Sequence, residues 1–266
     1  MKKLKRISWI LLAVTSVLMI VVNGYSFITK DKEPPVITFP DQELVVSVSV
    51  SEEELLKDVK AQDDKSGDLS SSVVVERMSS IDEEMSRVIT YAAIDEAGNV
   101  GRKERTIRYT DYTKPRFKIS EPLRFPLGKM LDNIIANVQA ESSVDGDISE
   151  KLKFQFTGEE HFDREGVIDI EIRVSDSAGV SSVLPTKLEL YDPKTETLKV
   201  KLNQYIVYLT KNSDFDPSAY YVASGQKEQV QIESDVNTSV PGTYHVNYLV
   251  QSGNSLGKSR LIVVVE

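Results

Sequence analysis

A repeat with a period of about 80 residues is the feature that most constrains how this 266-residue chain can fold. Residues 55–70 match residues 134–149 position by position, and both stretches carry Val-x-Ala followed by Gly-Asp-x-Ser. Further along, Asp-x-Ala-Gly begins at Asp95 and again at Asp176. Such a period arises when each copy folds into the same structural unit. The sequence therefore predicts consecutive domains of one fold.

A third, more diverged copy occupies the C-terminal part of the chain. Its residues 242–250 repeat the alternation of residues 166–174, although the Gly-Asp pair is missing. Short segments that contain proline separate the copies, and proline limits the bending of a linker. We predict domains at residues 35–112, 113–192 and 193–266, with a linker at residues 29–34 before the first.

The strands of these copies have a period of two. Ile168, Ile170 and Ile172 alternate with charged residues, which is typical of an antiparallel sheet with one buried face. The same period predicts a strand through Val46, Val48 and Val50. Turn residues separate the runs, and several short strands per copy indicate an all-β sandwich. One short helix is predicted at residues 51–57, where Ser-Glu-Glu-Glu forms a capping box.

The N-terminus has the pattern of a membrane anchor. Residues 1–6 are basic and residues 7–28 carry no charge, which is long enough for a spanning helix of about 20 residues. The basic stub should remain in the cytoplasm, so that the C-terminal domains are extracellular. The alternative is a signal peptide cleaved after Gly24. Both alternatives export the remainder of the chain.

The charge of the exported part excludes one class of partner. From Asp31 onward there are 27 basic and 41 acidic residues, a net charge of −14, and so acidic a chain is repelled by nucleic-acid phosphates. The expected partners are the membrane, through the single helix, and envelope proteins or glycans. We expect neither a nucleic acid nor a small-molecule substrate.

No group of residues predicts an enzyme. Residues 253–257 read Gly-Asn-Ser-Leu-Gly, but a nucleophile elbow needs a helix after it and a later Asp and His, and this sequence offers neither. A hairpin turn is the better interpretation. His161 and His245 are far apart in sequence and are predicted to be surface residues. There is no Cys, and we predict no catalytic, cofactor or metal site.

Acidic turns leave a calcium hypothesis open. Oxygen ligands cluster at Asp63, Asp64 and Asp68, and again at Asp145 and Asp147. Calcium requires six to eight oxygens around one point. Asp and Gly are also favoured in turns, where the side chain accepts hydrogen bonds from the backbone. The turn interpretation is preferred and calcium is the alternative.

Tyrosine is concentrated in the third domain, which holds six of the eleven. Tyr244 and Tyr248 share a strand face with valines and are predicted core residues. Tyrosine is favoured in binding sites because it covers a large area at low entropic cost. Tyr208 and Tyr221 are the candidates for an exposed binding surface on this domain.

Three motifs together resemble a known family. These are Pro-x-Ile-x-Phe at residues 35–39, Asp-Gly-Asp-Ile-Ser at residues 145–149, and the alternating strand that ends in Asp-x-Ala-Gly at residues 166–179. They are similar to bacterial surface immunoglobulin-like repeats, relatives of hyalin-type repeats and of the Ig-like domain of a pesticidal crystal protein. The resemblance covers nearly all of residues 34–266 and is weakest in the third copy.

The resemblance implies three tandem Ig-like β-sandwich domains preceded by one transmembrane helix. It also implies a cell-surface role in spacing, display or adhesion, and it transfers no catalytic residue. Two functions remain open: a structural stalk or scaffold of the envelope, and a module that binds glycan, peptidoglycan or protein through the third domain.

Overall fold

The computed structural model describes Trp9 and residues 11–21, 31–128, 136–158, 162–223 and 228–266. These residues form two compact units. The first contains the described residues up to Ser79 together with Glu83–Thr110, and the second contains Ser80–Asp82 and Asp111–Glu266. The all-β class and the tandem β-sandwiches are confirmed.

A helix, α1, covers residues 11–21. Within the part of the chain that is described, no helix has both the length and the apolar character needed to cross a membrane. Parts of the predicted N-terminal segments lie outside the described residues. These parts are the basic stub at residues 1–6, residues 7, 8, 10 and 22–28 of the predicted span, and residues 29 and 30 of the linker.

The first unit is a sandwich of two sheets. One sheet has the order β1-β3-β4 and the other the order β2-β7-β6-β5. All neighbours are antiparallel except β2 and β7, which are parallel. The strands are β1 (Val36–Thr38), β2 (Glu43–Val46), β3 (Lys60–Asp63), β4 (Gly67–Asp68), β5 (Val74–Met78), β6 (Ser86–Ile94) and β7 (Val100–Tyr109).

Short-range polar contacts end the second strand earlier than its sequence predicts. The strand predicted through Val46, Val48 and Val50 is wrong beyond Val46, because the chain turns at Val48 and the Val50 amide donates to the Ser47 carbonyl at 3.1 Å. The Ser49 amide also donates to the Ser47 hydroxyl at 3.2 Å. Serine side chains offer the backbone such alternatives to a strand ladder.

The predicted short helix is confirmed as α2 (Glu52–Leu56). Ser51 is its N-cap, with its hydroxyl accepting from the Glu54 amide at 3.2 Å, which satisfies one of the free donors at the helix start. The helix buries Leu55, and the Tyr91 hydroxyl donates to the Leu55 carbonyl at 2.8 Å. The Ser51 N-cap therefore fixes the start of a helix that is packed on the core.

The second unit contains two further sandwiches of related topology. The strands of its first sandwich are β8 (Arg116–Ile119), β9 (Arg124–Pro126), β10 (Val138–Ser142), β11 (Gly146–Asp147), β12 (Lys153–Phe156), β13 (Gly166–Ser175) and β14 (Ser181–Tyr191). They form one sheet of order β11-β10-β8 and one of order β12-β13-β14-β9. As in the first unit, the second strand of each copy runs parallel to the last strand.

One apolar cluster runs through both sandwiches of this unit, from Phe117 to Val265. The predicted alternation is confirmed in β13, where Ile168, Ile170 and Ile172 are buried and intervening positions face outward. The strands of the last sandwich are β15 (Lys201–Leu202), β16 (Ile206–Leu209), β17 (Tyr221–Val222), β18 (Gln229–Ser234), β19 (Gly242–Ser252) and β20 (Ser255–Val265). They form one sheet of order β15-β17 and one of order β16-β20-β19-β18.

A close backbone contact in the last sandwich yields a testable prediction. A Cβ added at Gly257 would lie 2.1 Å from the Leu198 carbonyl oxygen, whereas one added at Gly242 would meet nothing closer than 3.6 Å. We expect Gly257→Ala to lower the free energy of unfolding by about 1–3 kcal/mol, because overpacking forces the backbone to move. Gly242→Ala, in the neighbouring strand, is the matched control. Urea denaturation followed by circular dichroism measures both, and equal midpoints for the two variants would contradict the prediction.

Candidate functional site

Buried ion pairs join the two sandwiches of the second unit. Arg124 in β9 is 3.1 Å from Glu189 in β14 and 2.7 Å from Glu196, which precedes the last sandwich. From that sandwich, Arg260 reaches Glu189 at 3.2 Å and Lys258 reaches Glu196 at 3.3 Å. Arg124 and Glu196 expose only 6% and 7% of their side chains. We refer to these five residues as the charged joint.

The chemistry of the charged joint is set by burial and by opposite charge. Burial acts to raise the pKa of Glu189, but the hydrogen bonds and positive charge of Arg124, with Arg260 and Lys258, hold that pKa below its usual value. Burial lowers the pKa of Arg260. Arg124 also donates to the Lys258 carbonyl at 2.6 Å. A buried network in which each charge has partners fixes an orientation, since breaking it leaves a charge uncompensated.

Tyr208, predicted as a binding residue, lies where the two sandwiches of the second unit meet. Its hydroxyl oxygen accepts from the Phe117 amide at 2.7 Å, and Arg116 lies over its ring at 4.8 Å. Arg116 in turn pairs with Glu266 at 2.5 Å. Burial raises the pKa of Tyr208 to about 12. The structure therefore gives this side chain a structural contact, and its role in binding a ligand stays a prediction.

Tyr221, the other predicted binding residue, is half-buried in β17. Its hydroxyl group hydrogen-bonds the Glu228 carboxylate, and burial together with this contact raises the pKa of Tyr221 to about 12. Tyr221 and Tyr208 therefore have different partners among the described residues, and the binding role of Tyr221 also stays a prediction. Of the predicted core tyrosines, Tyr248 is fully buried and Tyr244 is half-buried.

A groove of about 840 Å³ lies beside Tyr208. Its rim carries four cations, of which three are paired: Arg116 with Glu266, Lys118 with Glu141 at 2.6 Å, and Lys199 with Glu121 at 3.4 Å. Paired cations attract an anionic ligand weakly. The groove is consistent with a neutral or mixed polar ligand and gives no support to a polyanion site. Its lining includes Arg116, Lys118, Glu121, Lys199, Lys201 and Tyr208.

The surface position predicted for the two histidines can be compared with the structure at His245 but not at His161. His161 lies outside the described residues. The prediction that His245 is a surface residue is wrong: it is half-buried, and its Nε2 lies 3.3 Å from the Thr186 hydroxyl of the preceding sandwich. Burial and the positive charge of Arg260 lower the pKa of His245. Strand alternation alone missed this contact because the outward face of β19 is covered by another sandwich.

The Gly-Asn-Ser-Leu-Gly motif is a hairpin turn, as predicted. Ser252 pairs with Ser255 at the end of β19 and β20, and Gly253 adopts a φ of +59°, which favours glycine in tight turns. A strand follows Ser255 where a nucleophile elbow requires a helix. The motif therefore lacks the geometry of an activated serine.

Most acidic turn residues serve the backbone, as the turn interpretation predicted. Asp68 accepts from the Ser70 amide and hydroxyl, and Asp147 does the same with Ser149. These hydrogen bonds lower the pKa of Asp68 and Asp147. Asp145 instead accepts from the Ser177 amide at 2.7 Å. Asp68 and Asp147 are therefore used in local turns, whereas Asp145 links its turn to the turn after β13.

Asp63 behaves differently, since the first unit brings it together with Asp31 and Asp95. Each of the three offers a carboxylate oxygen, and these oxygens lie within 4.8 Å of one another. The side chains are buried, with 7%, 4% and 6% exposure for Asp31, Asp63 and Asp95. This cluster could not be recognised in the sequence, because its members are separated by about 30 residues each and meet only through strand pairing. Oxygen donors of this kind suit hard divalent cations.

Asp95 is held in place by the turn that follows it. Burial acts to raise its pKa, but hydrogen bonds from Asn99 and from the amides of Gly98 and Ala97 bring that pKa below its usual value. The Asn99 side chain donates to Asp95 at 2.6 Å. Asp31 is paired with one cation, Lys65, at 3.4 Å. Among the described residues, Lys65 is the cation that pairs with this group of three carboxylates.

Comparison with known proteins gives structural similarities only. No protein-family model matches the chain, and no curated protein matches it by sequence. Among solved structures, it is similar to Drosophila N-cadherin EC1-3 with 10% identity and a TM-score of 0.30, covering 89% of this chain and 90% of that one. It is also similar to Drosophila N-cadherin EC1-4, with 12% identity and a TM-score of 0.26, covering 88% of this chain and 76% of that one. A third similar structure is the M60 catalytic domain with two CBM51 domains from Clostridium perfringens ZmpB, with 12% identity and a TM-score of 0.21, covering 87% of this chain and 31% of that one. The fold is established by the strand pairing of the chain itself.

The charged joint generates a prediction about stability. We expect Arg124→Met to lower the free energy of unfolding of the second unit by about 3–5 kcal/mol, because Glu189 and Glu196 would keep buried charges with fewer partners. Lys118→Met is the matched control: it removes an exposed pair with Glu141, which contributes about 1 kcal/mol or less. Guanidinium denaturation of both variants measures the difference, and similar losses would show that the joint is not a buried network in solution.

Proposed function

We propose that this chain is a membrane-anchored bacterial cell-surface protein whose tandem Ig-like domains form a structural stalk or scaffold of the envelope. The charged joint is the observation that carries the scaffold role. Arg124, Glu189 and Glu196 are charged residues placed at low exposure between two sandwiches, where they can orient the domains. A fixed orientation of neighbouring domains suits a protein that holds other components in place.

The anchor rests on the N-terminal sequence. Residues 7–28 are uncharged and follow a basic stub, and this combination favours a helix inserted with its N-terminus in the cytoplasm. The strongly acidic character of the remaining chain suits an exported, soluble ectodomain. Membership of the bacterial surface Ig-like repeat family remains part of this proposal and rests on the three motifs of the first two copies.

Anchoring and export can be tested in the bacterium of origin. With a C-terminal epitope tag, the chain should sediment with membranes, resist extraction by high salt and be cleaved by protease added to intact cells. Replacing Leu12 and Leu18 by lysine should abolish membrane insertion, because each charge near the centre of a span costs about 2.5–3.5 kcal/mol.

Replacement of the same two leucines by valine is the control for these variants and should leave insertion intact. Recovery of the chain in the medium with a new N-terminus after Gly24 would overturn the anchor in favour of a cleaved signal peptide. A tag that is protected from protease on intact cells, with the chain in the membrane fraction, would contradict the orientation.

A ligand-binding module is the second candidate function, and the groove beside Tyr208 favours it. If the third domain binds an envelope component, the full chain should capture glycan, peptidoglycan or protein from its own cells saturably. Tyr208→Ser, which changes the lining of the groove, should then weaken capture at least tenfold, which corresponds to about 1.4 kcal/mol. Tyr221→Ser tests the other predicted binding residue, which lies outside that lining. Because Tyr208→Ser also removes the hydrogen bond with the Phe117 amide, its capture is compared with that of the wild type at a temperature where circular dichroism shows that both chains are folded.

Asn254→Ser, in the exposed hairpin turn after β19, is the control for general surface effects in the binding assay. Capture that is unaffected by either tyrosine substitution would exclude this binding surface. Absence of saturable capture by the folded wild-type chain would leave the scaffold as the function.

A further inference from the structure

Two oxygens of the carboxylate cluster in the first unit have no donor. Oδ1 of Asp63 accepts from the amides of Lys65 and Ser66, and Oδ1 of Asp31 accepts from the Glu33 amide. The second oxygens of these side chains, Oδ2 of Asp31 and Oδ2 of Asp63, are buried without a hydrogen-bond partner among the described residues. A buried polar atom without a partner costs about 1–3 kcal/mol, and more when it is charged.

The turn after β3 does not require a carboxylate. In the next repeat Ser142 occupies the place of Asp63, at the end of β10 and before the paired Gly146. Its hydroxyl accepts from the amides of Val144 and Asp145 at 3.1 and 3.3 Å, which is the role of the Asp63 Oδ1 atom. One oxygen is enough for the turn, so the second oxygen of Asp63 is surplus to it.

In the next repeat the carboxylate equivalent to Asp95 is hydrogen-bonded by neighbouring side chains. Asp176 takes the place of Asp95, and its neighbours there are hydroxyl groups. The Tyr112 hydroxyl donates to its Oδ2 at 2.9 Å and the Ser142 hydroxyl at 3.4 Å. One carboxylate and two hydroxyl donors need no further partner. In the first unit, three carboxylates meet at the same place in the repeat.

We propose that Asp31, Asp63 and Asp95 bind one divalent cation, and that the cation is calcium. The protein ligands are all carboxylate oxygens, the donors that calcium prefers, and the set lacks the nitrogen or sulfur atoms typical of zinc sites. Water would complete the six to eight oxygens that calcium requires. Oxygens on opposite sides of a calcium ion are at most about 5 Å apart, and the spacing within 4.8 Å falls inside that limit. Three negative charges with Lys65 leave an excess of two, which a divalent cation neutralises.

The cation would fasten the start of the ectodomain to the body of the first sandwich. Asp31 lies in the segment before β1, Asp63 ends β3, and Asp95 follows β6. One ion would therefore connect three chain segments that are distant in sequence. Binding to the folded state alone stabilises it in proportion to the occupancy of the site. The first sandwich would then be more rigid in a calcium-rich exterior than inside the cell.

The test uses the full chain in mild detergent, first freed of metal with a chelator. Calorimetric titration with calcium chloride should give one site per chain, and calcium should raise the thermal midpoint of the wild type. Asp63→Asn should weaken binding roughly tenfold or more, since affinity follows the charge of the ligand set, and should lose the thermal shift. Asp64→Asn is the matched control, because Asp64 is the adjacent exposed acid and the change in charge is the same.

Melting without calcium separates the loss of the ion from a loss of folding. In chelator, Asp63→Asn should melt at or above the wild type, because it removes repulsion within the cluster; if it does not fold, Asp31→Asn carries the same comparison. The proposal is overturned if millimolar calcium gives the wild type neither heat nor a thermal shift. It is equally overturned if magnesium gives the same shift as calcium, or if Asp64→Asn loses as much affinity as Asp63→Asn, since either result indicates charge screening alone.

Discussion

Burial of one face of a long β-hairpin is the constraint on which each sandwich depends. In all three copies the last two strands form this hairpin, β6–β7, β13–β14 and β19–β20, and its inner face supplies the core. In β19 and β20, Val246, Tyr248, Leu261 and Val263 are fully buried. Domains of this size bury a limited share of their surface and are only marginally stable alone. The chain has no disulfide to compensate, so each sandwich depends on the apolar residues that this inner face buries.

That marginal stability gives a physical reason for the second unit to combine two sandwiches. Its apolar cluster is continuous, and the surface between the sandwiches is closed by the charged joint and by Tyr208. A larger common core buries a larger fraction of the chain. The buried charges add orientation rather than net stability, because the cost of removing them from water offsets much of their attraction. The joint therefore restricts how the two sandwiches can pack.

The sequence predicted those parts of the fold that follow from local periodicity. Alternation placed Ile168, Ile170 and Ile172 in the core, the capping box placed α2, and the glycine turn placed the hairpin at Gly253. What it could not predict depends on segments distant in sequence. His245 is covered by Thr186 and Asp31 meets Asp63 only after strands from different parts of the chain have paired. The Asp-x-Ala-Gly repeat identified Asp95 as part of a turn, but nothing local connected it with Asp31 and Asp63.

The repeats also show how one backbone position can support different chemistry. Asp95 and Asp176 make equivalent turns: each amide donates to a carbonyl four residues on, and each carboxylate accepts an amide in return. Both copies therefore keep the turn, while the two neighbouring side chains decide whether the buried carboxylate accepts hydrogen bonds from hydroxyl groups or lies beside two further carboxylates. In each case the partner comes from the segment before the first strand, Tyr112 in one copy and Asp31 in the other. The same position thus controls how firmly each connecting segment is held, and exchange of a few side chains would change that control without altering the sandwich.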